Sequence, residues 1–203
     1  MKKIAPSLKN EIINTAISIA QKTSWEKVRL ADIATTLNID LNTIRYFFAE
    51  KDQIIDACFD RADAAMLNAS LKPEFNSLTS KEKLHALLIA WLSAFDGQQR
   101  VIRQMICHKL EPGHLHLQLP AIKRISQTVQ WWREAAGFTE IFPYRALQET
   151  GLTIIYLSTF GFWLLDNSDE HLATNHFLEK KLTIADTLSQ FFGCTQHETH
   201  KIN

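Results

Sequence analysis

Glycine and proline are scarce in this sequence, six and five among 203 residues. That excludes collagen-like and Pro/Gly-rich disordered chains. It also disfavours a strand-and-turn architecture, whose hairpins need such residues at short intervals. Cysteine is scarcer still: Cys58, Cys107 and Cys194 are odd in number and far apart, which excludes a disulfide scaffold and suits reduced thiols in a cytosol. Long apolar runs are missing too. The longest nearly unbroken one, "LTIIYLSTFGFWLL" at 152–165, is shorter than the roughly 20 residues a membrane helix needs. The beginning, "MKKIAPSLKNEIINTAISIA", has the basic start of a secretory leader but places Lys9, Asn10 and Glu11 where its apolar stretch belongs. The expectation is a soluble, cytoplasmic protein with no membrane partner.

An excess of charge of one sign is also absent. With 22 basic and 22 acidic residues the formal net charge is zero, so bulk charge gives no argument for nucleic-acid binding and any such argument must be local. No Gly-rich phosphate loop, H-E-x-x-H or nucleophile–base pair occurs, so neither an enzyme nor a cofactor is expected and no residue is assigned a catalytic role. Histidine is clustered in "CHKLEPGHLH" and "CTQHETH", but without the paired spacing of a structural zinc site, and no metal is expected.

What the chain does have is 46% hydrophobic residues, arranged with a period near 3.6, which predicts an all-α protein. Helices are expected at about 7–22, 30–37, 41–47, from 51 onward, 80–94, 98–109, 121–136, 144–165 and 170–192, with a frayed tail after that. "SLKPEFNSLTS" (70–80) is the most evident break. The expected organisation is an N-terminal three-helix module with a helix-turn-helix (1–50), a linking helix (51–71), and a larger helical domain for ligand binding and dimerisation (72–203).

The segment "ADIATTLNIDLNTIRYFFAEK" (31–51) contains two short amphipathic helices around a turn. Leu30, Ile33, Ala34 and Leu37 form the inward face of the first. Asn38 suits a left-handed turn residue, Ile39 plugs the turn, and Asp40 is a good N-cap for the next helix. Ile44, Phe47 and Phe48 then face inward. Leu41, Asn42, Thr43, Arg45 and Tyr46 are left outward, where side chains of these types can bond base edges and phosphates. Residues 1–51 carry eight basic against five acidic residues, a local excess of +3. Periodicity alone leaves open whether this unit grips DNA or is simply two packed helices.

The stretch "DIATTLNIDLNTIRYFF" resembles, without a gap, the helix-turn-helix of TetR-family transcriptional regulators, D-I-A-x-x-A-G-V-S-x-x-T-L-Y-x-H-F. "SWEKVRLADIA" before it and "FAEKDQII" after it are similar to the same family's flanks. The resemblance implies a double-stranded DNA operator, a homodimer, a small-molecule effector and repression as the regulatory outcome. It implies that Thr43 sits on the recognition helix with Tyr46 beside the family's usual Tyr, and that Lys51 meets a DNA phosphate. Arg29 stands where a Ser or Thr usually caps, with a phosphate in reach. Asn38, Asp40, Arg45 and Phe47 depart from the pattern.

For the effector, the aromatic and sulfur side chains Trp91, Phe95, Met105, Trp131 and Trp132 are the candidates, with a plain packed core as the alternative. For the dimer interface they are Gly151, Ile155, Ser158, Phe162, Phe177 and Leu178, where glycines permit close helix approach. "DRADAAML", "TVQWWREAAG" and "FWLLDNSDE" are also similar to the Coq9-type ubiquinone-biosynthesis accessory proteins. These share the fold and bind lipid rather than DNA, but generally add a C-terminal amphipathic membrane helix where this sequence has "CTQHETHKIN".

Overall fold

A computed structural model describes residues 4–110 and 115–199. Among them the only regular structure is helical: α1 (Ile4–Lys22), α2 (Leu30–Leu37), α3 (Leu41–Phe47), α4 (Asp52–Ala69), α5 (Ser80–Ser93), α6 (Gln99–Lys109), α7 (Leu115–Ala135), α8 (Tyr144–Trp163) and α9 (Leu172–Thr199). Short 3-10 turns at Pro73–Ser77 and Asp169–His171 break the longer connections. The helix-rich, strand-free expectation holds. Two helices differ in extent from the periodicity. α7 begins at Leu115 and carries Pro120 inside it, and α9 continues past residue 192 to Thr199.

The chain forms two compact units. The first gathers the described residues of Met1–Ala64 and Ala94–Ile122. Its core is built from Ile12, Ile13 and Ala16 of α1, Ile33 of α2, Ile44 of α3 and Ile54 and Ile55 of α4, with Phe48 between them, all nearly inaccessible. Burying such a side chain stabilises by about 1.5–3 kcal/mol, which lets helices as short as α2 and α3 persist; helices of this length are marginal alone. α6 belongs to this unit although it follows α5 in sequence. Its apolar face, Val101, Ile102 and Met105, is fully buried, and α6 packs on α1. Polar contacts reinforce it: Trp25 N donates to Gln104 Oε1 (2.8 Å), Arg100 Nη2 to the Thr23 carbonyl (3.0 Å), and His108 pairs with Asp52 across 3.1 Å. Lys109, itself buried, pairs with Asp56.

The second unit gathers Ala65–Ser93 and the described residues of Lys123–Asn203. α8 packs on α9, and α5 on both. Trp91 of α5 stands edge-on to Tyr156 and Phe160 of α8, with ring centroids 5.1 and 5.3 Å apart. Trp132 is fully buried and donates its indole N–H to the Leu84 carbonyl at 2.9 Å. The α8–α9 connection is tied by one carboxylate. Asp166, buried, accepts from Ser168 N (2.8 Å), Ser168 Oγ (2.7 Å), Thr174 N (2.9 Å) and Thr174 Oγ1 (2.5 Å). Burial alone raises this carboxyl, but the hydrogen bonds from Ser168 and Thr174 outweigh it and hold the pKa at about 2.

Candidate nucleic-acid interface

The turn between α2 and α3 is built from the residue types its geometry demands. Asn38 ends α2 at φ 51°, ψ 46°, a left-handed conformation that Asn tolerates better than other non-glycine residues. The following N–H, of Ile39, closes on the Ala34 carbonyl at 3.0 Å, which satisfies a helix-end acceptor. Asp40 then caps α3. Its Oδ1 accepts from Thr43 N at 2.8 Å and its Oδ2 from Thr43 Oγ1 at 3.0 Å. These bonds to Thr43 draw the Asp40 carboxyl below its ordinary pKa. Ile44 is fully buried beneath the helix, so α3 is held by its cap and by one apolar anchor.

The face this leaves outward holds Leu41, Asn42, Arg45 and Tyr46, all exposed, with Tyr46 at 82%. The Tyr46 ring stands edge-on to Phe47, centroids 5.1 Å apart. Asn42 and Arg45 supply the amide and guanidinium that can pair bidentately with adenine and guanine edges; Leu41 offers apolar contact. Phe47, expected inward, is half-buried.

Three other expected DNA contacts already have partners. Thr43 gives its hydroxyl to Asp40. Arg29 forks onto Asp32, Nε to Oδ2 at 3.1 Å and Nη2 to Oδ1 at 2.9 Å, while its side chain stays 75% exposed. The hydrogen bond and charge of Asp32 raise the Arg29 pKa further. Lys51 points back into its own unit. Its ammonium donates to the carbonyls of Trp25 (3.2 Å) and Glu26 (3.3 Å) and lies 5.3 Å from the centre of the Trp25 ring. Burial lowers its pKa. Two of its three N–H groups are thus committed to joining the loop before α2 to the start of α4.

The candidate effector residues are divided between the two units. Trp91 and Trp132 are buried in the second unit, whereas Phe95 and Met105 are buried in the first, and Trp131 is 53% exposed on α7. A pocket of about 280 Å³ lies elsewhere in the second unit, lined by Leu78, Lys81, Glu82, His85, Ala86, Glu179 and Leu182. Nothing in the aromatic pattern pointed to it, because its walls come from Leu78 just before α5 and from ordinary amphipathic positions on α5 and α9.

The candidate dimer residues divide as well. Ile155 and Leu178 are buried within the chain, so they serve its own core. Phe162 and Phe177 stack on each other 4.6 Å apart, with Phe162 still 39% exposed. Gly151 is exposed and Ser158 half-buried. A helix apolar nearly all round does not reveal from sequence which stripe its own chain covers. Among the described residues no three His, Cys, Asp or Glu side chains converge to hold a metal; His114, His116, Cys194, His197 and His200 lie outside the described side chains. No helix among the described residues is long and apolar enough to cross a membrane.

No family model matches the sequence, and no curated protein does. Solved structures do. A TetR transcriptional regulator from Nitrosomonas europaea is 47% identical, covers 89% of this chain with 98% of its own, and superposes with a TM-score of 0.80. A TetR transcriptional regulator from Rhodococcus sp. RHA1 shares the fold at 13% identity, with 86% of this chain and 92% of the other covered and a TM-score of 0.64.

Proposed function

The chain belongs to the TetR family of transcriptional regulators, and on that premise we propose that it is a homodimeric repressor, released from its operator by a small hydrophobic or amphipathic effector. The carrying observation is α3: a recognition helix fixed by the Asn38 turn and the Asp40 cap, with Asn42, Arg45 and Tyr46 outward and their polar groups facing solvent. Residues 1–50 form the DNA-binding module, 51–71 link it onward, and 72–203 hold the effector and the dimer contacts. Asn42 and Arg45 read base edges, Tyr46 and Arg29 reach phosphates, and Leu41 makes apolar contact. Thr43 and Lys51 hold the helices that present these groups. Two recognition helices need a dimer to meet successive major grooves, roughly 34 Å apart.

The pocket in the second unit combines apolar Leu78, Ala86 and Leu182 with charged Lys81 and Glu179 and with His85, a lining suited to a small amphipathic molecule. Effector binding shifts the population between two dimer geometries, only one of which matches the operator.

The test is binding to the DNA upstream of the protein's own gene, by fluorescence anisotropy at about 50 and 200 mM salt, against scrambled DNA of equal length. Specific, salt-steep binding is expected. Arg45→Ala erodes the preference for this DNA over scrambled DNA by about 1–3 kcal/mol per protomer, while Arg29→Ala lowers the log–log salt slope by about 2, one phosphate contact on each of two protomers. Absence of specific binding refutes the proposal, and isoprenoid lipid carried through purification at near-stoichiometric amounts then favours a lipid-binding role.

A further inference from the structure

The pocket between α5 and α9 distributes its polar groups unevenly. Its floor is apolar: Leu182 is buried, and Leu78 and Ala86 are half-buried beside it. The two basic side chains of its wall, Lys81 and His85, are half-buried as well, whereas its two acids, Glu82 and Glu179, are exposed. Lys81 and His85 stand four residues apart on α5, a spacing that sets their β-carbons about 5–6 Å apart on one face. The inner polar edge thus offers hydrogen-bond donors, and the acids lie toward solvent.

Both donors are underused. The Lys81 ammonium donates to Thr183 Oγ1 of α9 at 3.3 Å, longer than the about 2.9–3.0 Å of an ordinary N–H···O bond. That acceptor is a neutral hydroxyl, and among the described residues no carboxylate lies within ion-pair distance of Lys81. Glu82, its neighbour in sequence, turns to the start of the helix. There it accepts from Thr79 N (2.8 Å) and Thr79 Oγ1 (2.7 Å), and these bonds hold its carboxyl below the ordinary range. The His85 ring makes no hydrogen bond among the described residues. Two half-buried donors one turn apart, above an apolar floor, are complementary to a carboxylate on an apolar body. Charge-assisted bonds hold the head, and burial holds the rest.

We propose that this pocket takes a small monocarboxylate, its carboxylate held by Lys81 and His85 and its apolar body laid on Leu78, Ala86 and Leu182. This rests on the effector reading above and adds to it a charge, an orientation and a size. A water molecule takes about 30 Å³ of liquid, so a pocket of about 280 Å³ suits an occupant of roughly eight to ten non-hydrogen atoms. An amine of the same length brings donors to donors, and an alcohol brings no charge. The bound carboxylate also draws the Lys81 ammonium from Thr183. A direct polar link between α5 and α9 is thereby exchanged for one through the ligand, which couples occupancy to the packing of these two helices.

The experiment is calorimetric titration of the full chain with octanoate and phenylacetate, both of that size, against octylamine and 1-octanol. One site per chain is expected, at least tenfold tighter for a carboxylate than for the amine or the alcohol. Lys81→Met is expected to weaken octanoate at least tenfold, the worth of a charge-assisted hydrogen bond. Ala86→Leu, which fills the pocket, is expected to abolish binding; circular dichroism checks that both variants keep the wild-type helicity. A preference for octanoate over phenylacetate, or the reverse, tells an extended body from a flat one and upholds the site either way. Octylamine binding as tightly as octanoate overturns the assignment, as does octanoate affinity unchanged in both folded variants. The DNA measurement above is then repeated with octanoate at saturation, where release is expected. Specific DNA binding by a chain that takes no carboxylate overturns this assignment alone. DNA affinity unchanged with octanoate bound overturns the pocket's role as the effector site. Carboxylate binding by a chain that binds no DNA overturns the repressor reading and upholds the carboxylate site.

Discussion

Replacing Asp166 by asparagine removes one negative charge from the α8–α9 connection and leaves its shape nearly unchanged. The carboxylate accepts four hydrogen bonds from Ser168 and Thr174, and an amide cannot accept all four, since its nitrogen only donates. The carboxyl is held at about 2 against an ordinary 3.8. That is nearly two units, at about 1.4 kcal/mol each, so the ionised form contributes about 2 kcal/mol of stability at neutral pH. The direction follows from the depressed pKa. The contribution is complete above the unfolded value near 4, falls to about half by pH 3, and is nearly gone by pH 2. The assay is urea unfolding followed by circular dichroism at pH 7, 5, 4 and 3, wild type against Asp166→Asn at one protein concentration. The pH-dependent part of the stability gap should be about 2 kcal/mol at pH 7 and close by half at pH 3, with other carboxylates cancelling in the difference. An equal gap at pH 7 and pH 3, or none at pH 7, refutes the reasoning.

Three further outcomes are expected. Asn38→Ala should lower stability by about 1 kcal/mol, since alanine lacks the short polar side chain that lets asparagine tolerate the left-handed region, while Asn38→Gly, with no β-carbon, restores or exceeds the wild type; equal melting temperatures for all three would contradict the turn geometry. Lys51→Met should lower the melting temperature by removing two bonds to carbonyls, about 1–2 kcal/mol together, and leave the salt slope of DNA binding unchanged; a slope reduced as in Arg29→Ala would assign Lys51 to a phosphate instead. Gly151→Ala should raise the dimer dissociation constant at least tenfold in sedimentation, while helix propensity stabilises each protomer by about 1 kcal/mol; tighter dimerisation would contradict a role for Gly151 in close helix approach between protomers.

The reading segment was legible because its signals are local. α2 and α3 begin and end where the sequence put them, since Asn38 and Asp40 each suit one backbone task. Less was legible where a side chain chooses between partners. The Arg29–Asp32 fork is an ordinary i,i+3 pair and was readable from spacing. The hydroxyl of Thr43 and the ammonium of Lys51, by contrast, took intramolecular acceptors that only the folded backbone brings near. Long-range placement was least legible. α6 joins the first unit across the length of α5, and nothing in its own periodicity names α1 as its neighbour. In α8 apolar residues surround the helix, so Ile155 and Ile154 look alike in sequence although one is buried and the other 62% exposed.

The buried Trp25 has an optical consequence. Of the five tryptophans it alone lies in the first unit; Trp91, Trp131, Trp132 and Trp163 all lie in the second. Its backbone N–H is held by Gln104, its backbone carbonyl by Lys51, and its ring faces that ammonium. Replacing the other four by phenylalanine would give a one-fluorophore chain whose emission reports on the first unit alone. A red shift on dilution into urea would then mark loss of the joint between α6, α4 and the loop before α2. Comparison with the helicity signal would tell whether the two units melt together or in turn.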